Sequence, residues 1–92
     1  MDVTYDEDKS LRNTLERGLP FDLVHHFEWG SALMREDKRR NYGEPRYVAM
    51  GPIYERLHVL VFTPREGSVH VISLRKANQR EVNRYERQKP RH

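Results

Sequence analysis

The sequence contains no cysteine, and none of its apolar runs exceeds four residues, the length of the run from Val59 to Phe62. Without thiols the chain can build neither a disulfide scaffold nor a thiolate zinc site, and it has no cysteine nucleophile. Four apolar residues cannot cross a membrane, since a transmembrane helix needs about 20. The first residues also lack the basic and apolar blocks of a signal peptide. Together these absences predict a cytoplasmic protein that does not associate with membranes.

Motifs for metal or cofactor binding are missing as well. The five histidines form no H-E-x-x-H motif, and the adjacent His25 and His26 would point about 100° apart on a helix. Gly43, Gly51 and Gly67 are isolated, so the chain has no glycine-rich loop to hold a phosphate. The sequence therefore predicts neither a metal nor a cofactor.

Acidic residues are scarce in the second half of the chain. Residues 1–46 carry 8 Lys and Arg against 10 Asp and Glu, a net charge of −2, whereas residues 47–92 carry 9 against 4, a net charge of +5. Arginine outnumbers lysine by 13 to 4, and its guanidinium can hold phosphate through two parallel hydrogen bonds. The basic half indicates a polyanion or an acidic partner, and a solvated surface that keeps the protein soluble is the alternative.

The 92 residues fit one domain, here taken as residues 1–92. Hydrophobic periodicity and turn residues predict the order β-α-α-β-β-β-β-α, an antiparallel sheet packed by helices in an α+β fold. The expected segments are a strand at 3–5, a helix from Asp6 to Gly18, a helix from Pro20 to Gly30, strands at 32–34, 47–54, 56–63 and 68–76, and a helix from Asn78 to Lys89. Gly51-Pro52 is expected to break its strand, and Pro64 to Gly67 to form a turn.

Two of these segments carry further information. The strand from Arg56 to Thr63 is largely apolar on both faces, which predicts a central strand covered on both sides. In the last helix, Asn78 and Glu81 match a capping box. Arginines recur along this helix at spacings of four, three and four and predict one basic stripe, made of Arg80, Arg84, Arg87 and Arg91.

The basic residues at strand ends are the best candidates for chemistry. Arg75 and Lys76 stand where the last strand meets the N-terminus of the last helix, where backbone N–H groups favour an anion. Arg65 ends the preceding strand, and Arg46 begins an earlier one. If these strand ends share one edge of the sheet, the cations converge. Such a cluster can stabilise the charge that develops when a ribose 2′-OH attacks a phosphodiester.

Metal-free cleavage of RNA also needs a proton acceptor and a proton donor. Glu44, His70, Tyr42 and Tyr85 are candidates by residue type alone. The alternative to catalysis is that the strand-end cations only cap the sheet and pair with Glu44 or Glu81.

Three blocks of the sequence resemble the BrnT family of toxins, together over about residues 3–87. The first block contains Tyr5-Asp6-Glu7-Asp8-Lys9, Asn13, Gly18, Pro20-Phe21 and Phe27. The second contains Tyr42-Gly43-Glu44-Pro45-Arg46, Gly51 and Arg56. The third and most specific block is Ile72-Ser73-Leu74-Arg75-Lys76-Ala77-Asn78-Gln79-Arg80-Glu81, followed by Arg84-Tyr85-Glu86. The family often has His before the glycine that ends the first helix; here Arg17 stands there, and Arg is a poor proton shuttle because it stays charged.

The resemblance implies a fold like that of RelE-type ribonuclease toxins and an endoribonuclease activity that halts translation and growth. It also implies a cognate, BrnA-like antitoxin with a ribbon-helix-helix DNA-binding part. Toxin and antitoxin would form a heterotetramer through antitoxin dimerisation, and DNA would be contacted only through the antitoxin.

Site residues can be carried over from the resemblance. The catalytic set is Arg75, Lys76, Arg65 and Glu44, and the RNA-binding set is Arg46, Lys9, Arg80 and Arg84. Within them, Arg75 and Lys76 bind phosphate, and Glu44 either acts as a general base or orients Arg46. Lys9 either reaches the same face or pairs with a neighbouring acid.

Two other functions stay open at this point. A non-catalytic nucleic-acid-binding module would bind in a salt-dependent way without cleavage, although only Tyr47 and Tyr54 could stack bases. A pure interaction subunit would use its basic face for an acidic partner and would not bind RNA.

Overall fold

The computed structural model describes residues 2–90. The strands are β1 (Val3–Thr4), β2 (Leu33–Glu36), β3 (Tyr47–Ile53), β4 (Arg56–Arg65) and β5 (Ser68–Lys76), and the α-helices are α1 (Glu7–Arg17) and α2 (Gln79–Gln88). Two 3-10 helices, Phe21–His26 and Trp29–Ser31, lie between α1 and β2. Within the described part of the chain, no helix is long and apolar enough to cross a membrane.

The strands form one five-stranded sheet in the order β1-β5-β4-β3-β2. The predicted α+β class is confirmed. The pairs β2–β3, β3–β4 and β4–β5 are antiparallel, as expected, but β1 pairs with β5 in parallel. The sheet is therefore mixed. The helical segment between β1 and β2 carries the chain from one edge strand of the sheet to the other.

The helix ends follow the capping chemistry of the sequence. Asp6 accepts hydrogen bonds from the N–H groups of Asp8 and Lys9, and Gly18 ends α1 with a φ of 73°. Leu11 and Leu15 share a face of α1, but that face is exposed to solvent. The predicted helix from Pro20 to Gly30 is wrong in type, because the segment forms the two short 3-10 helices instead.

The prediction for β4 is confirmed. This strand is central, and separate apolar clusters cover its two faces. Leu60 and Phe62 pack toward the 3-10 helix at Phe21–His26, and Leu57 and Val59 pack toward α2. Strand β4 thereby anchors both layers to the sheet.

Two expectations about where strands end are wrong, one for β3 and one for β4. Gly51-Pro52 does not break β3, which continues to Ile53. A Cβ on Gly51 would lie 2.8 Å from Cζ of Phe27, so the glycine admits the Phe27 ring against the strand. Pro64 and Arg65 belong to β4, and the turn is formed by residues 66 and 67 alone, both with positive φ.

Candidate active site

One face of the sheet is only partly covered. On this side α2 packs over the first half of β4, at Val59. The loop of residues 37–46 covers the second half, where the Thr63 hydroxyl donates to the carbonyl of Pro45. Paired residues of an antiparallel sheet project from the same face. The β4 residues on this face and their β5 partners are Val59 with Arg75, Val61 with Ser73, Thr63 with His70, and Arg65 with Ser68.

A β-bulge decides which residues of β5 reach this face. Two consecutive residues of β4 pair with Ser73 and Val71, so Ile72 is left without a partner in β4. One extra residue shifts the alternation of side chains by one position. His70 and Arg75 are five residues apart and would otherwise point to opposite faces, but the bulge places them on the same one.

Four side chains, Glu44, Arg46, Arg65 and His70, form what we call the sheet-end cluster. Arg65 donates to both carboxylate oxygens of Glu44, at 2.8 Å from Nη2 and 3.2 Å from Nε. These hydrogen bonds hold the pKa of Glu44 below its ordinary value. The same pairing raises the pKa of Arg65. Arg65 is therefore a fixed cation at the end of β4.

His70 lies beside this ion pair. Its Nδ1 is 2.8 Å from the Thr4 hydroxyl of β1. The ring lines a surface cavity of about 440 Å³ together with Thr4, Arg65, Glu66 and Ser68. Partial burial, followed by the charge of Arg65, lowers the pKa of His70 below 6.5. The imidazole is therefore predominantly neutral at pH 7.

The loop of residues 37–46 is organised by Asp37, a residue that sequence reasoning did not single out. The Asp37 carboxylate is buried and accepts from Arg39 at 2.9 and 2.8 Å and from the Tyr42 hydroxyl at 3.1 Å. These contacts, led by the hydrogen bond from Arg39, lower the pKa of Asp37 strongly. Arg46 stacks over the Tyr42 ring at 3.8 Å. The loop is thus a fixed, cation-rich wall of the open face.

A second group of cations lines a groove between α2 and the sheet. This helix groove has a volume of about 420 Å³, and Arg35, Arg75 and Arg84 lie among its lining residues with Glu81. Val48, Met50 and Val59 contribute apolar lining. Arg75 donates to both oxygens of Glu81 at 2.8 Å. These hydrogen bonds lower the pKa of Glu81 to about 2.

The structure brings together only part of the predicted strand-end cluster. Arg46 and Arg65 meet at one end of the sheet, because β3 begins where β4 ends. Arg75 and Lys76 lie toward the opposite end, since β5 runs antiparallel to β4. The β4 partners of Arg75 and His70 are four residues apart, so Arg75 and His70 are separated by roughly 13 Å along the sheet. The open face therefore carries two cation groups in place of one.

The other candidates are dispersed. Lys76 is exposed and, by alternation, projects from the face opposite to Arg75. Lys9 and Arg80 are exposed on α1 and α2, and Arg84 lines the helix groove. Arg91, the last residue of the predicted stripe, lies outside the described residues.

Arg17, at the position where the sequence resemblance leads one to expect a histidine, has a structural role. Beyond the two residues of β1, α1 covers the outer edge of β5. There buried Asn13 donates to the carbonyls of Leu19 and Leu74 at 2.8 and 3.0 Å. Arg17 donates to Asn13 Oδ1 at 3.0 Å and to the Leu74 carbonyl at 3.3 Å. In this position Arg17 helps to dock α1.

Fold and site together define a small α+β protein with a cation-rich sheet face. A family model described as "Ribonuclease toxin, BrnT, of type II toxin-antitoxin system" matches residues 5–81. The chain therefore belongs to the BrnT family of ribonuclease toxins, which confirms the resemblance seen in the sequence. Membership makes RNA its substrate class and a protein antitoxin its partner. No curated protein matches the chain.

Proposed function

We propose that this toxin is a metal-independent endoribonuclease in which the ribose 2′-OH attacks the adjacent phosphorus. The observation that carries the proposal is that Arg65 and Arg75 stand on the same open face of the sheet, at two ends of one surface. Guanidinium groups fixed by ion pairs are preorganised to stabilise the charge that grows on the phosphoryl oxygens. A ribonucleotide chain laid along this face would meet both arginines.

The roles of individual residues follow from their places. Arg65 and Arg75 bind phosphate, and Glu44 fixes Arg65 through its two hydrogen bonds. Because the hydrogen bonds from Arg65 lower its pKa, Glu44 is a weak proton acceptor. Lys76 follows Arg75 at the end of β5, and its side chain must reach around the strand end to contact the same phosphate.

The remaining cations extend the RNA-binding surface. Arg46 stands next to Arg65, and Arg84 next to Arg75. Lys9 and Arg80 lie farther out on α1 and α2 and contribute attraction that weakens with added salt.

The test is incubation of labelled RNA with the purified protein in EDTA. We expect the parent to cleave, and Arg65→Ala and Arg75→Ala to lose about 10²-fold or more in rate. Arg12→Ala is the matched control, because Arg12 is an exposed arginine on α1 and should leave the rate unchanged. RNA that stays intact in EDTA but is cut with added Mg²⁺ contradicts metal independence. Salt-sensitive binding without any cleavage supports the non-catalytic nucleic-acid-binding module instead.

We further propose that the toxin acts in the cytoplasm, where RNA cleavage inhibits translation and growth. Its antitoxin would carry a ribbon-helix-helix part that dimerises, giving a heterotetramer whose DNA contacts are made by the antitoxin. Induction of the toxin with and without the co-encoded antitoxin, followed by growth and protein synthesis, tests the first point. The mass of the co-purified complex in solution tests the second.

A further inference from the structure

We propose that His70 is the catalytic residue that accepts the proton of the attacking 2′-OH. The proposal rests on the ribonuclease function proposed above and adds the proton acceptor that this function requires. It follows from the position of the ring on the open face, beside the Arg65 cation and at the wall of a cavity.

The cavity has the shape and lining that such a step needs. His70, Arg65 and Ser68 line it with Thr4 and Glu66, and its volume of about 440 Å³ leaves room for a nucleotide sugar and its phosphate. Arg65 supplies a phosphate ligand next to the imidazole. A proton acceptor and a phosphate-binding cation are two of the groups that 2′-OH attack without a metal requires, and the cavity places them side by side.

The hydrogen bond to Thr4 sets the orientation of the ring. Nδ1 of His70 lies 2.8 Å from Thr4 Oγ1, and Nε2 has no hydrogen-bond partner among residues 2–90. When Nδ1–H donates to the threonine hydroxyl, the lone pair of Nε2 is free to accept a proton. The bulge at Ile72 contributes as well, because it turns His70 toward the face that carries Arg75.

Charged groups from several elements surround His70 and act on its pKa. They come from β4 (Arg65), from the loop before β3 (Glu44), from α1 (Lys9) and from its N-cap (Asp6). Burial is the largest influence on the pKa, and Arg65 follows; both lower it. The carboxylates of Glu44 and Asp6 oppose this shift without cancelling it.

The other proton acceptors proposed from sequence are engaged elsewhere. Glu44 accepts two hydrogen bonds from Arg65. The Tyr42 hydroxyl donates to Asp37, and the Tyr85 hydroxyl donates to a backbone carbonyl. Among the four candidates, His70 alone combines a free ring nitrogen with a place in a cavity beside a phosphate-binding arginine.

Nε2 of His70 takes the proton from the 2′-OH while the bond from O2′ to phosphorus forms. The bond from phosphorus to O5′ breaks, and O5′ takes a proton from water. The products are a 2′,3′-cyclic phosphate and a 5′-hydroxyl end, and His70 then returns its proton to solvent.

The experiment compares RNA cleavage by the parent, His70→Asn and His25→Asn between about pH 5 and 8. His25 is an exposed histidine of the 3-10 helix and serves as the matched control. We expect the parent's rate to rise with pH and level off above the pKa of His70, which NMR titration of its ring measures directly. His70→Asn should lower kcat about 10²–10⁴-fold. Its rate should no longer fall at low pH, and its affinity for RNA should be unchanged. His25→Asn should behave as the parent.

The outcomes separate the two proposals. If the parent cleaves and His70→Asn keeps its rate and pH profile, the role of His70 is wrong and the ribonuclease function stands. If the rate falls as pH rises through the pKa of His70, the residue is a proton donor and the proposal is overturned. If the parent cleaves no RNA, alone or with ribosomes, both proposals fail. If His70→Asn does not fold, the apparent pKa of the parent's pH–rate profile is compared with the pKa of the His70 ring from NMR. Different values overturn the proposal, and equal values support it.

Discussion

Glu81 both forms an ion pair with Arg75 and caps α2, and one substitution can remove its charge while keeping the cap. The Glu81 carboxylate accepts from Arg75 at 2.8 Å through both oxygens, and it also accepts from the backbone N–H of Asn78 at 2.9 Å. Glutamine can occupy the same place in a capping box. Glu81→Gln therefore removes the negative charge and keeps the cap.

The magnitude follows from the pKa of Glu81, which the hydrogen bonds from Arg75 lower from 4.5 to about 2. At ~1.4 kcal/mol for each pH unit, the carboxylate stabilises the fold by at most ~3 kcal/mol. The Arg75 side chain is 42% exposed, so water screens the pair and about 1–2 kcal/mol is expected. Because the folded pKa lies below the unfolded one, this stabilisation is complete above pH 4.5 and is lost as the pH falls toward 2.

The assay is urea unfolding of parent and variant at several pH values, followed by the fluorescence of Trp29 and by circular dichroism. The difference in free energy of unfolding should be about 1–2 kcal/mol at pH 7 and should shrink steadily below pH 4.5. Glu86→Gln on the same helix is the control. Its partner Lys89 is 2.8 Å away, but both side chains are largely exposed, so the loss should be much smaller. A difference that does not change with pH, or an equal loss in the control, would refute the reasoning.

Three further substitutions have defined outcomes. Asn13→Ala removes the donor of two backbone carbonyls and should lower the free energy of unfolding by about 2–4 kcal/mol in urea titrations. Gly51→Ala puts a Cβ 2.8 Å from the buried Phe27 ring and should cost about 1–3 kcal/mol in the same assay. Thr4→Val removes the hydrogen bond that orients His70; RNA cleavage should slow about tenfold while RNA affinity, measured by gel shift, stays the same.

Much of the fold could be predicted because local signals and packing agree. Asp6 and Gly18 bound the first helix, Asn78 with Glu81 begins the last one, and the apolar faces of β4 place it at the centre. Local signals do not predict the conformation of the segment at Phe21–His26. Its spacing of apolar residues suits an α-helix, but it forms a 3-10 helix that packs Phe21 and Val24 into the core. The parallel pairing of β1 has no local signal, since it depends on where the chain crosses the sheet.

The candidate site was predictable in residue type but not in arrangement. Arg65 and Arg75 are visible in the sequence, yet strand direction alone puts them at different ends of the sheet. The bulge at Ile72 could not be read from alternation, and without it His70 would face away from Arg75. Asp37 was also missed, because a carboxylate in a charged loop usually remains solvated and this one is buried by its arginine and tyrosine partners.

The two arginines proposed to bind phosphate are already paired with a carboxylate, Arg65 with Glu44 and Arg75 with Glu81. A guanidinium has five N–H donors, and each of these carboxylates engages two nitrogens, so donors remain for a phosphate on another side of the plane. Each carboxylate therefore fixes the orientation of its guanidinium and leaves N–H donors available for a phosphate. A lysine at either position could not hold its acid partner and present a planar pair of donors to phosphate at once. This geometry favours arginine over lysine at these two places. Under the proposed mechanism, catalysis depends on the same ion pairs that hold α2 and the loop of residues 37–46 against the sheet.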